Sequence, residues 1–376
     1  NVTLATTQSK GELRLDPGAQ LRGHGVTGSG TLALQAGRVL VSDRPTDTET
    51  GSGALVLGGN FFDKGFSAYE VTGSQGLLVA DGTQVEVTMP VYRFRDNARD
   101  VATGGAPVQA LELWTPQLYQ EDAVNAVLLQ RKGASLSLQA GRSLAAEVDP
   151  QASPLVIGRG ARIEVDPGQA IALRGAGQIT IDGTLLAHGG SIDVRQQQYG
   201  SLDVAEVTPV ADGKVHQRSI WIGDTAVLDV SGTARTAIDV HGRTYGRVDR
   251  GGSIVLGGAI DHGRATATSA DAYVIVRPGA KLDASGAQAV LHVPGQGATT
   301  VATDGGRISL SSYLGLHIDG SLRAVAGGAG AAGGSLDIAL ESPLYDSTGL
   351  DRAQDAALAP REISVSQHHE ATLPDD

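Results

Sequence analysis

The chain has 376 residues, a formal net charge of −12 and no cysteine. The negative charge argues against nucleic acid or an anionic membrane surface as the main partner, because like charges repel, and the absence of cysteine excludes disulfides. Hydrophobic residues make up 41% of the chain, enough to bury a core, but no apolar run approaches the ~20 residues of a membrane span. We therefore expect a folded protein with no nucleic-acid partner and no membrane insertion.

Residues 1–57 predict short strands separated by tight turns. Short aliphatic segments flank the dipeptide Pro17-Gly18. The sequence LQAGR, which starts at Leu34, recurs at Leu138. Pro and Gly between aliphatic bursts are typical of turns. We interpret this segment as rungs, or coils, of a β-helix, with a polar loop at 46–53.

Residues 58–133 interrupt the pattern. All four phenylalanines fall here, which predicts an inserted module with aromatic side chains. Thr115 and Pro116 before the segment 117–132, and Gly133 after it, match the residue preferences at the two ends of a helix. We expect a short helix over 117–132; the alternative is that the paired leucines at 128 and 129 begin the next strand.

The aromatic cluster of this module is the candidate ligand-binding site, because sugars stack on exposed rings. The predicted site residues are Phe61, Phe62, Phe66, Tyr69, Tyr92, Arg93 and Phe94. Arg95 and Arg99 could also contact an acidic ligand. The alternative is that the rings form the small core of the module, since Phe prefers burial.

Residues 134–340 contain an internal repeat. The sequence at Leu228 (LDVSG) returns at Leu282 (LDASG), and the Gly-Gly pair at Gly251 returns at Gly305, so both landmarks keep an offset of 54 residues. Constant landmarks with variable segments between them are typical of a stacked solenoid. We take the offset as two coils of about 25 residues each.

Aliphatic alternation in the same region predicts the strands. Segments such as Ile163-Glu164-Val165 place one residue outward between two inward ones. The connections are too tight for helical crossovers. We therefore predict an all-β, right-handed parallel β-helix whose corner loops (46–53, 195–219, 233–250, 287–304) present contact surface, followed by an irregular segment at 341–376.

The segment from Ile220 to Gly232, followed by the Gly-Gly-Ser-Ile run at Gly251, resembles the shaft of filamentous haemagglutinin-like exoproteins. These are surface adhesins that Gram-negative bacteria export by two-partner secretion. The resemblance covers most of residues 134–340, and the Phe61–Phe66 run is similar to a module that some members carry. It implies a non-enzymatic, secreted, cell-surface segment that attaches to host cells, other bacteria or matrix polysaccharide, with roles in biofilm and virulence.

One departure from the family indicates which part of such a protein this chain resembles. The secretion domain of such proteins carries Asn-Pro-type signatures, whereas none of the four Asn here precedes Pro. The resemblance therefore implies an interior or distal shaft segment of a larger protein. Its partner would be a carbohydrate or cell-surface receptor, and the outer-membrane transporter would engage a region outside this chain.

A β-helix can also carry polysaccharide-processing enzymes, which need two carboxyl groups on either side of the scissile bond. Gly23-His24-Gly25 matches one element of a polygalacturonase-like site, but its acidic companions are absent. Asp229 and Asp283 could share one face of the stack as a carboxylate pair. We interpret them instead as structural turn residues, because Asp before Ser-Gly accepts a backbone N–H bond.

Metal and cofactor sites are not indicated. The Gly-rich run at 327–332 has Ala332 where a calcium-binding turn needs a carboxylate, and the adjacent His368 and His369 would point to opposite faces of a strand. We expect no catalytic residue, no metal and no cofactor. A polysaccharide-processing β-helix enzyme and a delivery stalk for a C-terminal toxin remain the alternatives.

Overall fold

The computed structural model describes residues 1–6, 12–16, 21–23, 29–46, 53–141, 153–196, 219–258, 260–261, 266–267, 272–312 and 315–340. The predicted all-β class is confirmed, and most strands belong to long parallel sheets. Expectations for His24, for most of loops 46–53 and 195–219, and for the 341–376 segment with its two histidines lie outside these residues.

Three parallel sheets dominate the described part of the chain. The first has nine strands: β1 (Val2–Ala5), β2 (Thr31–Ala36), β5 (Ala68–Gly73), β12 (Ser135–Ala140), β15 (Ala170–Gly175), β18 (Ser191–Gln196), β23 (Ser253–Leu256), β30 (Arg307–Ser312) and β33 (Ser335–Leu340). The second has eight: β4 (Ala54–Leu57), β3 (Arg38–Val41), β6 (Leu77–Val79), β13 (Leu155–Ile157), β16 (Ile179–Ile181), β19 (Ser219–Ile222), β26 (Tyr273–Val276) and β31 (Leu316–Ile318). The third has six: β7 (Gln84–Val87), β14 (Arg162–Val165), β17 (Thr184–Leu186), β20 (Val227–Asp229), β27 (Lys281–Asp283) and β32 (Ser321–Arg323).

From β5 onward the chain visits the three sheets in a fixed order. It passes from the first sheet to the second and then to the third, completes this circuit six times, and ends in β33. Each strand pairs in parallel with its counterpart in the next circuit, for example Leu136 with Ile171 and Ile171 with Ile192. We call one such circuit a coil.

Alternating side chains fill the interior between the sheets. In the first sheet, strands such as β12 and β15 bury every second residue, as expected for strands with one face toward a core. Because the register is parallel, equivalent residues stack in columns; one column contains Leu32, Tyr69, Leu136, Ile171, Ile192, Ile254 and Ile308. All seven are buried.

The repeated Gly-Gly turn is explained by how closely the coils approach there. The second glycine of each pair (Gly190, Gly252, Gly306, Gly334) lies against the backbone of the coil before it, so that an added Cβ would overlap a carbonyl oxygen. The residue after each glycine donates its backbone N–H to that same coil; Ser253 donates to Gly190 at 3.0 Å and Arg307 to Gly252 at 2.9 Å. A side chain at these positions would push the coils apart.

Five antiparallel hairpins project from the coils in the described part of the chain. They are β8 (Val91–Phe94) with β9 (Leu111–Trp114), β10 (Tyr119–Asp122) with β11 (Val127–Gln130), β21 (Ala234–Ile238) with β22 (Thr244–Val248), β24 (Ile260–Asp261) with β25 (Thr266–Ala267), and β28 (Gln288–Val293) with β29 (Gly297–Ala302). All except β24/β25 lie between a strand of the third sheet and the next strand of the first sheet. They therefore leave the stack at one corner, which we call the hairpin corner.

The predicted coil length is wrong. Leu228 pairs directly with Leu282, and Ser253 directly with Arg307, so the 54-residue offset is one coil and not two. The shortest coil is seen where Ala170 pairs with Ser191, 21 residues later. Longer coils arise because hairpins are inserted at their corners, which the landmark spacing alone does not reveal.

The predicted helix over 117–132 is also wrong. Residues 119–130 form the hairpin β10/β11, with Tyr119 opposite Gln130, so their backbone groups pair between two strands and not within a helix. Helical structure in this region is limited to α1 (Pro107–Ala110) and the 3₁₀ turns Gly59–Phe61 and Ala98–Asp100.

The segment predicted as an insertion, 58–133, has two structurally different parts. Strands β5, β6 and β7 contribute one strand to each parallel sheet. Residues after β7 leave the sheets as β8/β9 and β10/β11 before β12 returns to the first sheet.

Candidate functional site

Exposed apolar side chains concentrate at the hairpin corner. Ten of the large apolar residues that the described structure exposes belong to its hairpins: Tyr92, Phe94, Val108, Leu113, Val124, Val127, Leu129, Ile238, Val240 and Val290. Three others lie elsewhere: Val56, Val325 and Leu336. Clustered exposed apolar residues are typical of contact surfaces.

Hairpin β8/β9 carries the exposed aromatic residues that the sequence singled out. Tyr92 lies opposite Leu113, and Phe94 opposite Leu111; opposed residues of an antiparallel pair share a face. This face is unusually exposed for aromatic side chains, with Tyr92 at 42% and Phe94 at 75% exposure.

A cavity of about 280 Å³ opens beside this face. It is lined by Arg22, Tyr92, Arg95, Val108, Leu111, Glu112 and Leu113. Apolar walls with a few convergent polar groups are typical of small-molecule sites. Among the predicted site residues, Tyr92 lines this cavity, and so does Arg95, which the sequence marks as a possible contact of an acidic ligand.

The charged side chains of the cavity differ in the number of partners that hold them in place. Arg95 donates from Nε to the Leu111 carbonyl at 3.1 Å, and its Nη1 lies 3.8 Å from Glu112 Oε2. Glu112 accepts a shorter bond, 2.7 Å, from Nε of Arg93. Arg22 is exposed and has no ion-pair partner among the described residues. The cavity therefore presents more positive than negative charge on a chain that is acidic as a whole.

Arg93 stabilises the hairpin and does not line the cavity. Besides its bond to Glu112, its guanidinium lies 5.1 Å from the centre of the Trp114 ring, a cation–π arrangement. Phe94 is exposed but also lies outside the cavity. These two predicted site residues are therefore neighbours of the cavity.

The other predicted site residues lie in a separate, interior cluster. Phe62, Phe66 and Tyr69 are at most 1% exposed, and Phe61 is partly buried against them. Phe62 and Tyr69 pack edge to face with ring centres 5.5 Å apart. Phe62, Phe66 and Tyr69 belong to the main hydrophobic core between the sheets and not to a separate small core of the module, so these three rings are not available to stack on a sugar.

Tyr69 shows how this cluster is held. Its hydroxyl accepts the backbone N–H of Lys64 at 2.7 Å. Burial raises the pKa of Tyr69 to about 12, because the ionised phenolate would lose its hydration. A neutral, hydrogen-bonded tyrosine is suited to a core position.

Sequence reasoning missed five cavity residues: Arg22, Val108, Leu111, Glu112 and Leu113. The alternation in Leu111-Glu112-Leu113-Trp114 indicates a strand, and two aromatic strands about twenty residues apart could have suggested the hairpin. No local signal marks Arg22, which reaches the cavity through the tertiary fold.

Three further hairpins form a continuous array at the same corner. β11 contacts β22, and β22 contacts β28. The turn of β10/β11 is bonded to that of β21/β22, since Val240 donates its N–H to the Ala123 carbonyl at 3.1 Å. The predicted loops 233–250 and 287–304 are therefore ordered hairpins.

Tyr245 lies inside this array. It is 8% exposed, and its hydroxyl has no hydrogen-bond partner among the described residues. Burial, with the nearby carboxylates of Glu121 and Asp122, raises the pKa of Tyr245. The ring packs the hairpins together in its neutral form.

Asp229 and Asp283 form turn bonds. Each accepts a backbone N–H two residues on, from Ser231 and Ser285 respectively, at 2.8 Å in both cases. The two residues are directly paired across adjacent coils. Their side-chain oxygens are thus engaged by the backbone in the way expected of Asx turns.

His188 lies near Asp229 and Ser231, but the three do not form a proton relay. Its Nδ1 is 3.4 Å from Ser231 Oγ and 3.6 Å from Asp229 Oδ1. A hydrolase relay needs Asp and Ser on different ring nitrogens. Here both contacts use the same nitrogen.

A shallow trough of about 570 Å³ runs over the stacked Gly-Gly turns. Its charged residues are Arg250, Asp304 and Arg307. Asp304 accepts the N–H of Ala332 at 2.7 Å, and Arg307 lies 3.3 Å from Asp337. These bonds connect neighbouring coils.

Within the described residues, no three His, Asp or Glu side chains lie close enough together to hold a metal ion. No helix in this part of the chain has the length and apolarity needed to span a membrane. No family model, curated protein or solved structure matches the chain.

Proposed function

We propose that the chain is a right-handed parallel β-helix. The fixed order of visits to three parallel sheets supports a closed coil, and parallel crossovers are right-handed in about 98% of cases. The hairpins β8/β9 and β10/β11 would be the module that the aromatic composition predicted, carried between two ordinary coils.

Its function would be that of a non-enzymatic shaft and binding segment of a secreted bacterial surface adhesin, resembling the filamentous haemagglutinin-like exoproteins. The observation that carries this proposal is the concentration of exposed apolar side chains on hairpins of one corner. The aliphatic interior supports a rigid body, and the hairpins supply contact residues that it does not need for packing. Attachment would be to a carbohydrate or cell-surface receptor.

The same proposal places the protein at the outer surface of the cell. The net charge of −12 disfavours nucleic acid, and the transporter of the parent protein would be engaged by a region outside this chain. Adhesion by such a segment requires no cofactor.

The test compares binding of the full chain with that of two shortened variants. In the first, residues 92–113 are replaced by Asn-Gly, which joins the paired residues Val91 and Trp114 through a two-residue hairpin turn. In the matched control, residues 289–301 are replaced in the same way between Gln288 and Ala302. Circular dichroism and thermal unfolding check that both variants keep the fold.

Binding is measured on a glycan array and on epithelial and bacterial cells. We expect the full chain and the β28/β29 control to bind, and the β8/β9 variant to lose most binding. Equal binding by all three proteins would refute a role for this hairpin, and no binding by the full chain would refute the adhesive function. Release of reducing ends from the array glycans would instead identify a polysaccharide-processing enzyme.

A further inference from the structure

The cavity beside β8/β9 combines groups that suit one class of sugar. We propose that it binds a single sugar residue that carries a carboxylate, such as a uronic or sialic acid at the end of an acidic glycan. This inference rests on the proposed function, because it names the ligand class for the same hairpin. Nothing in the composition of this acidic chain would suggest an anionic ligand.

Arg22 is the residue that favours an anion. Its guanidinium has no ion-pair partner among the described residues, although the chain as a whole carries excess negative charge. A planar guanidinium donates two parallel N–H bonds to a carboxylate, which gives both strength and orientation. Arg22 is therefore available to take the ligand carboxylate.

Arg95 and Glu112 set the charge beside Arg22. Arg95 is oriented by the Leu111 carbonyl, which accepts from its Nε at 3.1 Å, and its Nη1 lies 3.8 Å from Glu112 Oε2, beyond hydrogen-bond distance. Glu112 is bonded to Arg93 at 2.7 Å, so that its negative charge is compensated from outside the cavity. A bound carboxylate would consequently meet two cations and one neutralised acid.

The remaining walls suit a sugar ring. Tyr92 is 42% exposed and Val108 58% exposed, so both offer apolar surface that a pyranose can cover with its C–H face. The volume of about 280 Å³ is just below the range of drug-sized sites, so it suits one ring and not an extended chain. The charged and apolar halves together match a ring with one acidic substituent.

An acidic peptide is a poorer match. Peptides are commonly held by main-chain bonds to an open strand edge, with side-chain pockets adding specificity. Here the lining groups are side chains around a small cavity. A sulfated sugar would also offer two oxygens to a guanidinium, so the experiment below distinguishes it from a carboxylated sugar.

The experiment measures ligand binding to the full chain by saturation-transfer NMR and titration calorimetry. The carboxylated probes are glucuronate, galacturonate and N-acetylneuraminate. The comparison probes are the methyl ester of glucuronate, glucose, glucose 6-sulfate and N-acetylaspartate amide. We expect at least one carboxylated sugar to bind at about millimolar concentration, and its ester or neutral counterpart at least about tenfold more weakly.

Variants assign the effect to the cavity. Arg22→Gln should weaken the carboxylated sugar about tenfold or more while changing glucose little. Arg22→Lys keeps the charge without the planar fork and should lie between Arg22→Gln and the unaltered chain. Tyr92→Ala should weaken both acidic and neutral sugars. The matched controls are Arg99→Gln and Val325→Ala, which remove an exposed cation and an exposed apolar side chain outside the cavity and should leave binding unchanged.

Several results would overturn the inference: no binding of any carboxylated sugar, equal binding of the ester, or tighter binding of the sulfate or of N-acetylaspartate amide. Equal losses from Arg22→Gln and Arg99→Gln would do the same, because they would indicate general charge attraction. The proposed function fails separately. If the array shows binding to neutral glycans through β8/β9, the adhesive function is supported and the proposed site for an acidic sugar is refuted.

Discussion

Arg131 and Asp166 form a bidentate ion pair at the base of the hairpin corner. The Arg131 Nε lies 2.8 Å from Asp166 Oδ2, and Nη2 lies 2.6 Å from Oδ1. The side chains are 15% and 7% exposed, and Nη1 donates to the Pro116 carbonyl at 2.8 Å. The pair therefore fastens the returning end of β10/β11 to the turn after β14.

Removing one partner of this pair should destabilise the protein clearly. In Asp166→Asn the buried guanidinium loses its counter-charge, so we expect the free energy of unfolding to fall by about 2–3 kcal/mol. Urea denaturation measures the change, and limited proteolysis should show earlier cleavage in β10/β11. The control is Glu164→Ala, which breaks the exposed pair with Arg162 and should cost less than about 0.5 kcal/mol. Equal costs would contradict a clamping role for Arg131.

The glycines of these turns should differ in how well they tolerate substitution, according to the space around each one. Gly252→Ala would drive a methyl group into the Gly190 carbonyl, and we expect a loss of at least about 2 kcal/mol or a failure to fold. At Gly333 an added Cβ would have its nearest neighbour at 3.8 Å, so Gly333→Ala should be close to neutral. Thermal and urea unfolding compare the two. If Gly252→Ala were as stable as Gly333→Ala, close approach of the coils could not explain the repeat.

Tyr69 should give the protein an alkaline sensitivity. Its pKa is raised to about 12, so the unfolded chain loses the phenolic proton near the ordinary pKa of 10 while the folded chain retains it. Stability from this group is complete below pH 10 and falls by up to about 1.4 kcal/mol per pH unit between pH 10 and 12.

Tyr69→Phe isolates this contribution. The variant loses the bond from the Lys64 N–H and should be about 1 kcal/mol less stable at pH 8. Because phenylalanine cannot ionise, the difference from the unaltered chain should shrink above pH 10. Urea denaturation at pH 8, 10 and 11 tests this, and a difference that stays constant or grows would show that Tyr69 does not titrate as proposed.

Asp283 should matter for its turn and not for adhesion. Asp283→Ala removes the acceptor of the Ser285 N–H, and we expect about 1 kcal/mol of lost stability with binding nearly intact. Asp283→Asn keeps an acceptor oxygen and removes the like charge paired with Asp229, so it should be neutral or slightly stabilising. Loss of a sugar-cleaving activity in a folded Asp283→Ala protein would show that the turn assignment is incomplete.

The strands of residues 134–340 could be predicted because each one carries its own signal. Alternation in segments such as Ile163-Glu164-Val165 and the turn at Pro167 fix direction and spacing locally. The Gly-Gly landmark also marks a position correctly, since Gly252 and Gly306 stack in consecutive coils. The sequence contains no local signal for the number of coils between two landmarks. The spacing therefore predicts two coils where the structure has one coil of 54 residues.

The structure of residues 58–133 is harder to predict, because some residues in this region favour a helix and others favour a hairpin. Thr115, Pro116 and Gly133 match helix ends, yet Asp122 supplies a hairpin turn by accepting the N–H groups of Val124 and Asn125 at 3.2 and 3.0 Å. The aromatic residues look like one cluster in sequence, but burial separates Phe62 and Tyr69 from Tyr92. Burial depends on which residues the tertiary fold brings together, and so does the position of Arg22 beside the cavity.

The hairpin corner accommodates very different inserts between the same two sheets. Residues 166–169 cross it in a tight turn, whereas 88–134 cross it with two hairpins. The strands that follow these two crossings, β15 and β12, nonetheless pair in register, with Leu136 opposite Ile171. The number of stacked strands and the residues that the hairpins expose can therefore vary independently in this architecture. A foreign peptide grafted in place of 289–301 would be displayed at a fixed height along the protein, with the stacking of the aliphatic columns left untouched.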